Sequence, residues 1–593
     1  MPVFILGMSL FVAAACLGWI KLRYGFNFID EGYHATESWR LAAGDHFLDD
    51  KLTGALMHYT LINSLIFKIY PDVSLLQMRQ LQFILTLAAL LLFSIALFRQ
   101  TRQYAWMPFI FSLFAFTGFD TIGMISNLYY QTYSHLFLVL YLSFLLFGFQ
   151  SKNIVIKKIL YLLCGFWLWA MSLSLLYLGL FVLSPIIAFI LSRKLELKDY
   201  SFTFKDLLYV LAPFAGCWML FIAVFNKAYL LNLFNSIDVI LSMATYSGLI
   251  NLNWEVLKHL TISLAFLSLF YVSVKKLPLQ FFIPGCTILS LIILLIINTS
   301  FFGCLAPYHN IWYAKPMWFA SLLSAFTILF WIYAIRKYFS KRIFCKEEEL
   351  SIILMVPFTI CSLTMSTFSG MGELSVTQTA IPAVAAIAYM ATSQFKNMKY
   401  PLMIATVTLI LLLGPFYYAS ARSDWNFTFF DVQPKDATVR LETGFGRGIY
   451  TNIAYSKLYD WLIANAAYFT EQNDYAISYF CAPMVHMIIG LRPSLDDTYI
   501  IIEKPRTYFE KCIKKMVERG REPRIAFIFE QIPAFDQGRQ LDFSSSTDPI
   551  TIYVKTHMTP ASSFKISDYH IIRCYVDYNL PKNRETSQTT HQP

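Results

Sequence analysis

Charge is scarce in this sequence. Asp, Glu, Lys and Arg make up 14% of its 593 residues, and hydrophobic residues make up 57%. Soluble domains carry about 25% charged residues, so a wholly water-soluble fold is excluded. No Lys or Arg precedes Lys21. The apolar stretch from Val3 to Ile20 therefore lacks the basic start of a secretory leader, despite its Ala13-Ala14-Ala15-Cys16 run, and reads as an uncleaved first helix. No CxxC occurs among the ten cysteines, which removes zinc-ribbon chemistry. Cys16, Cys164, Cys217, Cys286 and Cys361 fall in apolar runs as small hydrophobes. Cys481, Cys512 and Cys574 fall in the tail, where an oxidising compartment would allow one disulfide. No phosphate-cradling glycine loop is present, because Gly444-Phe445-Gly446-Arg447-Gly448 lacks the strand-to-helix setting. No basic run is interleaved with aromatics, so the net charge of +10 does not point to nucleic acid. No internal repeat is evident, which weakens a transporter built on inverted repeats.

What is present is length without charge. Windows long enough to cross a hydrocarbon core of about 30 Å recur from Leu6 to Tyr418. They place thirteen spans at about 3–20, 75–98, 104–119, 128–150, 159–175, 177–192, 207–225, 258–274, 279–298, 316–335, 350–366, 380–395 and 400–419. The apolar run 159–192 is split in two because Ser172, Ser174 and Pro185 interrupt it. The basic residues Arg99, Arg102, Lys152, Lys157, Lys158, Arg193, Lys194, Lys275, Lys276, Arg336, Lys337, Lys396 and Lys399 fall in alternate loops, which marks those loops as cytoplasmic. An odd span count then puts the tail on the opposite side. The expected fold is a polytopic α-helical membrane domain, 1–419, followed by a small soluble α/β domain, 420–593, with a disordered end. In the tail, Ile453–Tyr468, Met484–Ile489 and Tyr508–Arg519 read as helices. Tyr475–Phe480, Arg524–Phe529, Ile550–Lys555 and Tyr569–Val576 read as strands.

Three non-cytoplasmic segments are long enough to hold chemistry: 21–74, 226–257 and the tail. The first has amphipathic stretches, Ala35–Ala43 and Met57–Ile69, suited to the membrane interface. It also carries adjacent carboxylates, Asp30 and Glu31, which repel each other and are costly to bury. They read either as a general base or a metal ligand, or as a solvated turn capping a helix that starts near Ala35. Asp120, in Gly118-Phe119-Asp120-Thr121, is a second acid at the outer end of a span. His34, His58 and Glu31 are candidate ligands for a divalent metal ion, without HxH or HxxxH spacing to support it.

Four pieces of the first segment occur in a telling order: Asp30-Glu31-Gly32-Tyr33, Trp39-Arg40-Leu41-Ala42-Ala43-Gly44-Asp45, His58-Tyr59, and Arg79 entering the second span. This order resembles the first loop of the GT-C glycosyltransferases, nearest to the protein O-mannosyltransferase and aminoarabinose (lipid A) transferase group. The tail pattern of Tyr475–Phe480, Pro483, Gly490-Leu491-Arg492-Pro493 and Arg524–Phe529 is similar to tails in that superfamily. The resemblance implies transfer of a sugar from a polyprenyl-phosphate donor to a glycolipid, cell-surface glycan or protein acceptor. It makes Asp30 the base, Glu31 an acceptor-orienting or metal-binding acid, and Asp120 the second outward acid.

A departing phosphate needs positive charge. The candidates are Lys51, Arg79, His309 and Lys315, with Leu52-Thr53-Gly54-Ala55 standing where the family has a proline-rich stretch. Tyr33, His34, His58 and Tyr59 are candidates for an acceptor or sugar groove. The implied setting is a bacterial inner or plasma membrane, with the site on the periplasmic side. The alternative is a transporter or flippase of a lipid-linked glycan, which would place ionisable residues inside the spans. Here the acids cluster at span ends.

Overall fold

The computed structural model describes residues 18–25, 27–47, 58–101, 130–246, 330–341, 343–368, 436–480, 482–498, 506–530, 546–565 and 571–580, with a few single positions besides. Helices α1 (Asp30–Ala42) and α2 (Tyr59–Ile69) precede α3 (Leu75–Thr101), α4 (Tyr130–Gln150) and α5 (Ile154–Ser174). A 3-10 segment (Leu176–Val182) leads to α6 (Leu183–Lys194), α7 (Phe204–Tyr246) and α8 (Lys346–Phe368). By contact the chain divides into two units. One comprises Met1–Lys21, Leu81–Ser126 and Tyr130–Asn426; the other comprises Leu22–Gln80, Asn127–Tyr129 and Phe427–Pro593. The sequence alone divides the chain at 419/420. Contacts instead group residues 22–80 with the tail.

In the first unit, Thr132–Gln150, Ile154–Ser174 and Phe204–Phe225 are long and apolar enough to cross a bilayer, as is Leu75–Gln100, which enters this unit at Leu81. Their bare faces are apolar. Ile154, Val155, Ile156, Ile159 and Leu162 stand exposed on α5, and Met219, Leu220 and Val224 on α7. Exposing such side chains to water costs about 25 cal/mol per Å², a cost that lipid removes. Polar groups turn inward instead. The Ser134 and Ser174 hydroxyls meet at 2.7 Å, and those of Tyr141 and Ser184 at 3.2 Å. This is the pattern of a multi-pass membrane protein.

The 159–192 run breaks close to where its serines and proline interrupt it. Leu175 is extended (φ −148°, ψ 128°), and Pro185 sits in the first turn of α6. A Cβ on Gly179 would lie 3.7 Å from that of Ser172, so the chain folds back on α5. The segment expected as a loop after residue 225 continues α7 to Tyr246. At 1.5 Å per residue that helix is roughly 65 Å long, well beyond one hydrocarbon core. The spans expected at 3–20, 104–119, 258–274, 279–298, 316–335, 380–395 and 400–419 lie wholly or largely outside the described residues.

In the second unit the tail runs β1 (Val439–Arg440), β2 (Tyr450–Thr451), α9 (Ile453–Phe469), β3 (Tyr475–Tyr479), α10 (Met484–Ile489), β4 (Arg492–Pro493), α11 (Arg506–Glu518), β5 (Pro523–Phe529), α12 (Pro549–His557), β6 (Thr559–Lys565) and β7 (Ile571–Val576). Five strands form one sheet in the order β4-β3-β5-β7-β6. β4, β3 and β5 are parallel, and β7 and β6 extend the sheet antiparallel. All seven residues of β5 are buried, as a strand covered on both faces must be. The stretch Ile550–Lys555, expected as a strand, is helix. Asp548 accepts from the Ile550 and Thr551 N–H groups, with Pro549 opening the first turn. This N-terminal signature outweighs the β-branched composition. β6 was not foreseen, because its Thr-Pro-Ala-Ser-Ser run has no apolar alternation. Cys512 and Cys574 are buried and not joined in a disulfide; Cys481 lies outside the described residues.

The unit has one core drawn from both ends of the chain. Phe28, Ala35, Phe67, Leu75 and Met78 pack with tail residues that include Leu458, Leu462, Met484, Phe527 and Phe529. Hydrogen bonds follow the same path. Tyr450 N–H donates to the Arg23 carbonyl at 2.6 Å and Gly25 N–H to the Tyr450 carbonyl at 2.7 Å, while Leu75 N–H donates to the Phe445 carbonyl at 2.9 Å.

Candidate active site

The helix bearing the adjacent acids begins at Asp30, five residues before the expected start, so both acids belong to its first turn. Asn27 accounts for the difference. Its Oδ1 accepts from the Ile29 N–H at 2.8 Å and the Asp30 N–H at 3.1 Å, satisfying donors that a helix start leaves open. The signal was visible in the sequence, as an Asn three residues ahead of the acids.

The two acids then diverge. Glu31 is buried and Asp30 only half-buried. Glu31 meets Arg79 through two parallel bonds: Nε donates to Oε1 at 2.8 Å and Nη2 to Oε2 at 2.6 Å. Arg79 Nη1 also donates to the Leu22 carbonyl at 2.8 Å and Nη2 to the Gly25 carbonyl at 3.0 Å. At least four of the five guanidinium N–H groups are thus engaged within the protein. This corrects the role drawn for Arg79 from the sequence. It does not face outward to a donor phosphate but holds Glu31 and the chain entering α1.

Close backbone packing fixes α1 from another side. A Cβ on Gly32 would lie 2.4 Å from the Met484 backbone nitrogen, so only glycine lets α1 approach α10 this closely. Met484 N–H donates to the Phe28 carbonyl at 3.1 Å, and Thr36 Oγ1 donates to the Pro483 carbonyl at 2.8 Å. Phe28 also packs on Phe529 and Tyr455, each at 6.1 Å between ring centres. Phe529 ends β5. The first turn of α1 therefore sits at the carboxyl edge of the parallel strands, the edge where open α/β sheets take their ligands.

The far end of α1 is tied by charge. Arg40 Nε donates to Asp45 at 2.6 Å and Nη1 to Glu37 at 3.3 Å and to the Asp496 carbonyl at 3.3 Å. Burial alone would lower the Arg40 pKa, but Glu37 and Asp45 outweigh it and hold it above the ordinary value. Arg519 and Lys515 meet Asp496 at 2.8 and 3.2 Å, and Arg492 and Arg521 stand 3.7 and 3.5 Å from Asp45. Thr498 donates to Glu37 at 2.8 Å. His486, on α10, is pushed down to about 3 by burial and then by the Arg40 charge, so it is neutral at pH 7. Of these tail partners the sequence pattern contains only Arg492, and without this role.

The expected groove residues are interior. Tyr33 is 5% exposed, His34 3%, and His58 and Tyr59 0%. The His34 ring bonds the Tyr59 hydroxyl, and the His58 ring lies 5.6 Å from that of Phe47. The His34–Tyr59 contact packs α1 to α2. The expected metal set of Glu31, His34 and His58 does not fit an ion either. Both Glu31 oxygens are given to Arg79, and among the described residues no three His, Cys, Asp or Glu side chains converge on one point. Asp120, Lys51, His309 and Lys315 lie outside the described residues.

No protein-family model and no curated protein matches the chain. Among solved structures it is similar to the Archaeoglobus fulgidus oligosaccharyltransferase tethered with an acceptor peptide. The identity is 11% over 88% of this chain and 69% of that one, with a TM-score of 0.44. It is also similar to ArnT from Cupriavidus metallidurans bound to undecaprenyl phosphate. There the identity is 12% over 95% of this chain and 97% of that one, again with a TM-score of 0.44. At this level of similarity the site stands on its own geometry.

Proposed function

We propose that the protein is a membrane glycosyltransferase. It moves a sugar from a polyprenyl-phosphate-linked donor to an acceptor on the outer face of the membrane, with Asp30 as general base. The observation that carries this reading is the division of labour between the adjacent acids. Glu31 is buried and paired with Arg79, whereas Asp30 is half-buried at the start of a rigidly held helix. A fixed carboxylate with its neighbour's charge already neutralised suits a base. The positive end of the helix favours its ionised form.

The chemistry asks for little else. The acceptor hydroxyl or amine gives its proton to the Asp30 carboxylate as its oxygen or nitrogen bonds to the sugar's anomeric carbon. The bond from that carbon to the phosphate oxygen breaks, and the polyprenyl phosphate leaves with the electron pair. Phosphate is a weak enough base to leave without a general acid. Lys51, His309 and Lys315 are the cations proposed to meet its charge, Asp120 the second outward acid, and Arg79 is withdrawn from that role. No step is routed through a metal ion.

The transporter reading is disfavoured by the described spans, whose inner contacts are hydroxyls and whose ion pair, Lys157 with Asp206 at 3.1 Å, lies at their ends. Mass spectrometry of surface glycans from strains with and without the gene identifies the sugar. Undecaprenyl phosphate carrying that sugar is then the donor for an assay on membranes. Asp30→Asn is expected to lower transfer by at least about 100-fold, with expression and insertion unchanged. Transfer at the unsubstituted rate would overturn the assignment.

A further inference from the structure

We propose that Asn27 is the positioning residue of this site: it holds Asp30 in place and keeps the turn around it free of a third charge. The inference rests on the reading of Asp30 as the base.

Asn27 is 1% exposed and is joined to each end of the short turn that follows it. Its Oδ1 accepts from the Ile29 and Asp30 N–H groups. Its own N–H donates to Glu31 Oε2 at 3.3 Å. Its carbonyl accepts from the Gly32 N–H at 3.1 Å. One residue therefore contacts the backbone that carries the base, the carboxylate clamped by Arg79, and the glycine pressed on Met484. A continuous path runs from Arg79 through Glu31 and Asn27 to the Asp30 backbone. Glu31 Oε2 is the shared atom, accepting from both Arg79 and Asn27.

The choice of asparagine has a chemical reason. Two converging N–H groups call for an oxygen acceptor at the end of a side chain of this length. Aspartate would serve equally as an acceptor. It would also put a third carboxylate beside Asp30 and Glu31, and a like charge at that range raises the proton affinity of its neighbours. Asparagine supplies the acceptor without the charge. Alanine supplies neither, leaves two N–H groups unsatisfied at a buried turn and frees the residue that carries the base. A base displaced by about 1 Å costs on the order of 100-fold in rate.

The test compares initial transfer rates across pH for the full chain in membranes, with the donor assay described above, for Asn27→Ala, Asn27→Asp and Asp30→Asn. Asn27→Ala is expected to lower kcat by roughly 10- to 100-fold, with KM for donor and acceptor within about twofold. Asn27→Asp is expected to recover kcat at alkaline pH, while the acid limb of its profile moves up by about one pH unit. A purely structural role would not produce that displacement. If Asn27→Ala fails to accumulate, Asn27→Asp, which keeps the acceptor, decides alone. Unchanged kcat in Asn27→Ala, or an Asn27→Asp profile that superimposes on the original, overturns the proposal. If Asp30→Asn is inactive while both Asn27 variants behave as the original, only this inference falls. If Asp30→Asn is fully active, the base assignment itself falls.

Discussion

Helix α1 is fastened at both ends by buried charge, and the two fastenings are built differently. At the amino end, among the described residues, the Glu31 carboxylate meets the Arg79 guanidinium, both with 0% side-chain exposure. At the carboxyl end Asp45 and Asp496 are shared among Arg40, Arg492, Lys515, Arg519 and Arg521, and four of these cations are 13–30% exposed. A closed pair has no substitute for a lost partner. An open network does, and water can reach its edge. The closed pair stands beside the residue proposed to do chemistry, where tolerance of movement is lowest. The open network stands where α1 only has to remain attached.

Removing one member of the closed pair is the most severe way to test this contrast. Arg79→Leu is expected to cost about 3–5 kcal/mol, because Glu31 is left charged and buried. The check is thermal unfolding of the full chain in detergent. Combining Arg79→Leu with Glu31→Leu is expected to restore a large part of the loss. No recovery in the double variant would show that the Leu22 and Gly25 carbonyls, rather than Glu31, are what Arg79 chiefly serves.

Acid is expected to act next most strongly, and on the carboxyl end. His486 titrates near 6.5 when unfolded and is pushed down to about 3 in the fold, so its contribution is full above pH 6.5 and is lost as pH falls towards 3. Between pH 7 and pH 5 the loss is about 2 kcal/mol. The matching measurement is the same unfolding scan on the original chain and on His486→Gln, whose stability should fall less steeply over that range. The smallest effect belongs to the rim of the network. Lys515→Ala is expected to cost under about 1 kcal/mol, since its side chain is 30% exposed and Arg519 remains 2.8 Å from Asp496. A loss as large as that of Arg79→Leu would erase the distinction between the two ends.

Much of the helical content was legible because it rests on local rules. Apolar length marks α3, α4 and α5, and Ser172, Ser174 and Pro185 mark the break after α5. The start of α1 was misplaced because Asp30 and Glu31 resemble a capping turn, whereas Asn27 bonds the backbone just ahead of them. The helix at Pro549–His557 was misread because composition was weighed above its Asp-Pro start. The partners of Glu31 and Arg40 were not legible at all. A sequence shows that Arg79 carries charge but not that the charge points inward. Asp496 lies 456 residues beyond Arg40, a separation that no periodicity or spacing rule spans. Tyr33, His34, His58 and Tyr59, read as candidates for a groove, are interior. Polar aromatic side chains suit a sugar, and they suit a helix contact equally well.

The wide separation of the tail from the segment it packs on also gives the protein a birth order. Glu31 and Arg79 are 48 residues apart, so at about 5–20 residues per second they leave the ribosome within roughly 2–10 s of each other. Asp496 follows Arg40 by 456 residues. At about 5–20 residues per second that is a wait of roughly 20–90 s. For that interval Arg40 and the surface meant for Met484 have no tail to meet. The site is thus begun early and completed late, and a chain released before its tail is made would carry both acids without the sheet that seats them.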